Sequence, residues 1–410
     1  MITREESVAL DASDELAHLR EAFSLNEGEI YLDGNSLGPV SSTVKERVND
    51  VIDAQWGRGL VRSWGAAGWM DQPTRLGDRL APLIGARPGE VLVADTLTFL
   101  IAKLVGGALE LRPDRNVVLT DRANFHSDLY ILEAVCARAG RPITLKAIDR
   151  STLDEELNEE VALVELTQVD FRTGEALDMK GITQKVHDVG ALVMWDFAHS
   201  TGAVPLDVEG ANVDFAAGCT YKYLNAGPGS PGFAYVRTTW QGRLRNPLPG
   251  WLGHARPFDF ELDYEPATGV QAFVTSSPSV IALAALDGAL DVWDQVTMDQ
   301  VRTKSLAMTD LFIALIEERL PGVFEIVTPR EHAKRGSQVA LGHPEGYGII
   351  QALIERGVIG DFRAPNICRF GFAPLYLRFV DVYDAVDRIV EVMETEAHRD
   401  PRFTVRNAVT

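Results

Sequence analysis

Between residues 91 and 236, short apolar, β-prone runs alternate with stretches that carry apolar residues three and four apart. The runs are Val91 to Ala94, Val117 to Thr120, Ile143 to Ala147, Val161 to Thr167, Ala191 to Trp195, Val213 to Ala216 and Phe233 to Val236. The helical stretches among them include Thr98 to Leu111, Asp128 to Ala139 and Met179 to Val189. Such alternation predicts an α/β chain, with crossover helices covering a mostly parallel sheet. Past residue 240 the pattern changes. A Pro- and Gly-rich passage, Asn246 to Gly269, leads to helices over Pro278 to Trp293 and Thr297 to Arg319. Strands near Phe324 to Val327, Gln338 to Leu341 and Cys368 to Gly371 then mix with helices over Tyr347 to Arg356 and Val380 to Glu394. This α+β tail predicts a smaller C-terminal domain, and at 410 residues the chain exceeds what one hydrophobic core usually supports.

Composition narrows the partners. Lys and Arg number 39 against 59 Asp and Glu, so the formal charge is 39 − 59 = −20, which disfavours nucleic acid and anionic membrane surfaces. No apolar run is long enough to span a bilayer, and Met1 to Arg20 lacks a signal-like apolar core, so a cytoplasmic protein is expected. The 3 cysteines, Cys136, Cys219 and Cys368, are odd in number and lack C-x-x-C spacing; neither a disulfide framework nor a cysteine-rich zinc site is indicated.

One pair of segments carries chemistry. Asp196 in Met194-Trp195-Asp196-Phe197-Ala198-His199 and Lys222 in Gly218-Cys219-Thr220-Tyr221-Lys222-Tyr223-Leu224-Asn225 each follow a buried-strand pattern, so both polar groups emerge at a strand end. An acid and a lysine delivered there suit pyridoxal phosphate. The lysine holds the aldehyde as a Schiff base, and the aspartate keeps the pyridine nitrogen protonated. No acidic residue lies close to Lys222 in sequence, so burial is expected to lower its pKa. The plain alternatives are a solvated loop lysine, a capping aspartate and a core histidine at His199.

Three other patterns weigh less. Gly34-Asn35-Ser36-Leu37-Gly38 matches the G-x-S-x-G nucleophile elbow after a possible strand, Ile30 to Leu32, but Pro39 delays the helix an elbow needs. Asp196 and His199 also share one loop, an awkward source of both remaining triad members. Gly227-Pro228-Gly229-Ser230-Pro231-Gly232 matches G-x-G-x-x-G, yet holds two prolines and precedes a strand. His187 and His199 lack metal-ligand spacing, and no metal site is expected.

Tyr31-Leu32-Asp33-Gly34-Asn35-Ser36-Leu37-Gly38, Trp195-Asp196-Phe197-Ala198-His199, Cys219-Thr220-Tyr221-Lys222-Tyr223-Leu224-Asn225, Gly250-Trp251-Leu252-Gly253-His254 and Arg369-Phe370-Gly371-Phe372-Ala373-Pro374-Leu375-Tyr376 together resemble the kynureninases, in motif order along nearly the whole chain. The resemblance implies the aminotransferase-like fold, fold type I of the pyridoxal-phosphate enzymes. It implies residues 1–45 packing with the small domain, a large cofactor-binding domain over 46–290 and the small domain over 291–410. It implies hydrolysis of L-kynurenine, or its 3-hydroxy form, to the corresponding anthranilate and L-alanine by a homodimer with active sites at the subunit interface. Lys222 is then the cofactor lysine and Tyr221 the general acid. Phe125 stacks on the ring, Asp128 hydrogen-bonds near it, Asp196 faces its nitrogen with His199 beside it, and Leu97 and Thr98 hold the phosphate. Thr167, Tyr221, Trp251 and Ser277 fall at the other cofactor positions. Arg369 grips the substrate carboxylate and Trp64 lines its aromatic end, the type that prefers kynurenine. His126 stands where the family usually has proline, which questions the loop's shape. The closest rival within the fold is a cysteine desulfurase or selenocysteine lyase, which needs a mobile thiol or a selenol-handling residue; Cys219 and Cys368 lie in apolar contexts that favour inert packing.

Overall fold

The computed structural model describes residues 2–404. Its centre is a seven-stranded sheet in the order Val91–Val93, Phe233–Val236, Phe215–Gly218, Leu192–Asp196, Val161–Thr167, Val117–Asp121 and Thr144–Ile148. Phe233–Val236 runs antiparallel to both of its neighbours; the other pairings are parallel. Every residue of Val161–Thr167 and Leu192–Asp196 is buried, which is why these segments read as continuous apolar runs rather than alternating ones. The helices Leu97–Glu110 and His126–Ala137 pack against each other, and Leu97–Glu110 also lies against the central strands.

Strand edges differ slightly from the expected ones. The run around Val213 pairs only from Phe215, and Ile143 to Ala147 becomes Thr144–Ile148. The helix Ser42–Asp50, capped by the Ser41 hydroxyl on the Val44 amide at 3.3 Å, and its π-type continuation Val51–Gly59 were not anticipated. Their composition is mixed and interrupted by glycine, so no sustained period stands out.

The C-terminal part forms a four-stranded antiparallel sheet in the order Asp361–Arg363, Ile367–Gly371, Gln338–Gly342, Glu325–Ile326. The long helix Met298–Arg319 begins at a capping box made by Thr297 and Gln300 and packs on the helix Phe379–Glu394. The chain's first residues join this part. The helix Arg4–Ala12 lies on Phe379–Glu394, and both carboxylate oxygens of Asp11 accept from that helix's first amides, Phe379 at 2.5 Å and Val380 at 3.0 Å. Asp14 pairs with the buried Lys304 at 2.6 Å, and Ile30–Tyr31 forms a parallel ladder with Val358–Ile359.

Candidate active site

Parallel strands end together on one side of a sheet, and here Thr167 and Asp196 lie opposite each other in register as the last residues of their strands. The Lys222 loop follows the adjoining strand, Phe215–Gly218. Together these ends floor a cavity of about 490 Å³, into which face Leu97, Thr98, Phe125, Asp128, Thr167, Asp196, His199, Tyr221, Lys222 and Arg369. Ten of the thirteen residues expected at the site therefore share one cavity.

At its centre the Lys222 Nζ lies 2.8 Å from His199 Nε2. Burial lowers the Lys222 pKa, with Arg369 and Arg363 acting in the same direction against Cys219 and Asp196. Burial and the neighbouring lysine hold His199 well below the usual imidazole range, so it is neutral. Asp196 accepts from the Ala198 amide at 2.8 Å and the Thr167 hydroxyl at 3.4 Å; burial nevertheless lifts it to about 6. Asp128 is raised well above the carboxylate range by burial and by Asp196 and Glu165. Two buried polar atoms here, Asp128 Oδ2 and His199 Nδ1, have no hydrogen-bond partner among the described residues. A fold leaves such atoms where a bound group completes them.

The far wall is a helix start. Leu97–Glu110 begins at the cavity, and its N-cap, Thr96, makes no side-chain capping bond, so first-turn amides remain available to an anion. Gly232 lies beside it, where a Cβ would come within 2.8 Å of the Gly218 carbonyl and 3.2 Å of the Leu97 amide. The glycine pattern that fails as a dinucleotide motif thus keeps this corner open. Phe125 caps the helix His126–Ala137, and its ring meets Phe171 edge-on at 5.2 Å. His126 occupies the first helical position, which accepts proline equally well, so its departure from the family pattern leaves Phe125 at the cavity.

The serine of G-x-S-x-G has a different task from a nucleophile's. Ser36 Oγ donates to Asp361 at 2.9 Å and accepts from Arg369 at 2.8 Å and Arg363 at 3.3 Å. Gly38 of the same motif donates its amide to the Tyr221 carbonyl at 2.8 Å. His187, the other imagined metal ligand, pairs with Asp214 at 2.8 Å, far along the strand from the cavity.

Trp64, Trp251 and Ser277 do not line the cavity in this chain. Trp64 is half-buried against Trp69, Trp251 is 40 % exposed and Ser277 is exposed. An apolar groove of about 1150 Å³ adjoins the cavity at Ser230 and includes Val40, Trp56, Trp69, Pro278 and Ile281. Trp64 and Ser277 lie beside its residues Trp69 and Pro278.

Sequence reasoning missed Glu165. It is fully buried on Val161–Thr167, accepts from Thr120 at 2.8 Å and Asn124 at 2.9 Å, and is raised by burial to about 8. Asn124 in turn accepts from the Thr167 amide at 3.3 Å, tying the loop that carries Phe125 and Asp128 to the strand ends. The available signal was a carboxylate inside Val161-Ala162-Leu163-Val164-Glu165-Leu166-Thr167, an otherwise apolar run.

Solved structures place the fold. An apo cysteine desulfurase from Thermococcus onnurineus NA1 superposes with a TM-score of 0.78 at 18 % identity, covering 93 % of this chain and 97 % of that one. A C-DES variant with glycine covalently linked to its PLP cofactor superposes with a TM-score of 0.76 at 18 % identity, covering 89 % and 97 %. The chain has the fold type I architecture of the pyridoxal-phosphate enzymes. Residues 301–389 match the kynureninase C-terminal domain family. Curated kynureninases from Burkholderia pseudomallei strain 1106a and from Pseudomonas fluorescens are 49 % and 47 % identical, each over 100 % of both chains. The chain belongs to the kynureninase family.

The residues present fit that family's cofactor. The uncapped helix start suits a phosphate, the Phe125 ring a stacking partner, Asp196 a protonated ring nitrogen, and the amine of Lys222 an aldehyde.

Proposed function

We propose that this chain hydrolyses the Cβ–Cγ bond of L-kynurenine, giving anthranilate and L-alanine. The observation that carries the reading is the convergence of Lys222, Asp196 and Arg369 on one cavity in a chain of the kynureninase family. Bound there, pyridoxal phosphate supplies an electron sink conjugated to the substrate's Cα. Arg369 holds the α-carboxylate. Lys222, its pKa lowered by burial, removes the Cα proton at a pH where a solvated lysine would stay protonated. Asp196 would hold the protonated ring nitrogen, and a cation beside it would favour its ionised form against the burial that raises it to about 6. Water adds at the γ-carbonyl, the Cβ–Cγ bond breaks, and anthranilate leaves. Tyr221 then delivers a proton to Cβ and Lys222 returns one to Cα, completing L-alanine; the Tyr221 phenol, raised by Cys219 and by burial, remains protonated and able to donate.

The sulfur-transfer alternative has less support. Cys136, Cys219 and Cys368 are all buried, and burial raises each thiol's pKa, so none offers a mobile thiolate. The reading includes a homodimer, with a second copy covering the apolar groove beside the cavity and bringing Trp64, Trp251 and Ser277 into the completed site. The large domain is read as 46–290, with 1–45 and 291–410 forming the small one. Among the described residues no helix is long and apolar enough to cross a membrane.

The test is a visible spectrum of the cofactor-loaded protein, followed by L-kynurenine while anthranilate fluorescence is recorded. Equal yields of anthranilate and alanine, with band and turnover both lost in Lys222→Ala, are expected. A band with no anthranilate would move the function to another amino-acid substrate.

A further inference from the structure

The cavity holds two guanidinium groups at the Arg369 end, not one. Asp361 and Arg363 stand two apart on one strand, so their side chains leave the same face, and Asp361 lies opposite Arg369 across the antiparallel pair. Arg369 is 1 % exposed and heavily committed to protein. Its Nε and Nη2 donate to Asp361 at 2.8 and 2.5 Å, Nη2 also to Ser36 at 2.8 Å, and Nη1 to the Phe171 carbonyl at 2.5 Å. Of its five N–H groups one, on Nη1, remains, and a bidentate grip on a carboxylate needs two. Arg363 is placed to supply the rest. Its side chain is 34 % exposed, it faces the same cavity, and only Nη2 is engaged, by Asp361 at 2.6 Å and Ser36 at 3.3 Å. Its buried Nε has no partner among the described residues.

Charge points the same way. Asp361 is the shared counter-ion; burial raises it, but Arg369 and Arg363 outweigh that and hold it ionised. The other nearby acid, Asp33, is lifted to about 7 by burial and by Asp361, so it neutralises the second guanidinium only in part. Two cations over one firm anion leave this end of the cavity short of negative charge.

We propose that Arg363 is a second ligand of the substrate's α-carboxylate, completing with the remaining Arg369 N–H a clamp that Ser36 and Asp361 hold in place. This rests on the reading of the cavity as an amino-acid site. Carboxylate recognition is then divided between two side chains, and an amine lacking the carboxylate gains nothing from either.

The experiment uses cofactor-loaded protein and equilibrium titration, read from the visible band, with L-alanine and with the decarboxylated amine of kynurenine. Arg363→Gln is expected to weaken L-alanine by roughly 10- to 100-fold, the range for a lost charge-assisted contact, while the amine changes by less than about two-fold. Arg363→Lys, which keeps the charge but not the fork, is expected to fall between. An unchanged band in each variant shows that the cavity is intact. The proposal is overturned if Arg363→Gln binds L-alanine as wild type does, or loses the amine in equal measure, which would make Arg363 only a prop for Asp361. Wild-type protein whose band responds to neither L-alanine nor L-kynurenine would instead refute the amino-acid reading.

Discussion

Gly38 offers the sharpest test of how the cofactor lysine is held. A Cβ on Gly38 would sit 2.4 Å from the Lys222 carbonyl oxygen, 2.4 Å from Asn225 Nδ2 and 2.8 Å from Asn225 Cα. The amide side chain can rotate away; the two backbone atoms cannot. Ordinary contact begins near 3.4 Å, so Gly38→Ala must push the Lys222 backbone away by 3.4 − 2.4 = 1.0 Å or move the Gly38 segment by as much. Overpacking of this kind costs about 1–3 kcal/mol. For a chain of 410 residues that lowers Tm by roughly 1–4 °C. The larger effect falls on chemistry, because a misplacement of about 1 Å at a reacting group can cost on the order of 100-fold in rate. Gly65→Ala is the control: it lies in the short helix Ser63–Ala66 with nothing within 4 Å of the added methyl. The assays are thermal unfolding and kcat for anthranilate release. If Gly38→Ala matched Gly65→Ala in both, the Gly38 contact would not position Lys222.

Three further outcomes are expected. Tyr221→Phe should keep the visible band and lose turnover by about 10²- to 10⁴-fold, the usual worth of a general acid; undiminished kcat would remove Tyr221 from proton transfer. Ser36→Ala should raise KM roughly ten-fold with kcat largely kept, because the hydroxyl serves the arginine pair, whereas a nucleophile's loss would abolish turnover. In cofactor-free protein, Glu165→Gln should flatten stability against pH. The Glu165 pKa is raised in the fold, so its contribution is complete below its unfolded value near 4.5 and fades as pH climbs toward about 8. Glutamine keeps an acceptor for Thr120 and Asn124 and cannot ionise; urea midpoints with the same pH slope in both proteins would refute this.

What was legible in the chain follows from burial. The strand Leu192–Asp196 is covered on both faces, so its sequence is apolar up to the polar residue that ends it, which is how Asp196 could be placed; Thr167 came only with the family resemblance. Lys222 was readable because no acidic residue stands near it in sequence and it follows a buried-strand pattern. The arginine cluster was not, since Ser36 meets Asp361 and Arg369 across more than three hundred residues of chain. Local pattern made Ser36 resemble an elbow; only tertiary contact reveals its carboxylate and guanidinium partners. Glu165 was hidden by the apolar run around it, although an acid in such a run needs buried donors and therefore marks a polar network.

The clasp between the first and last parts of the chain has a consequence for synthesis. Asp11 waits for the amides of Phe379 and Val380, Asp14 for Lys304, and Ile30–Tyr31 for Val358–Ile359. On a ribosome adding residues in order, the seven-stranded sheet has all its strands by residue 236, while these contacts wait for partners that come later in the chain. The segment carrying Asp11, Asp14 and Ile30–Tyr31 is thus made before the sheet and seated after it, so removing that segment, or the partners it meets, leaves the other side's docking surface bare.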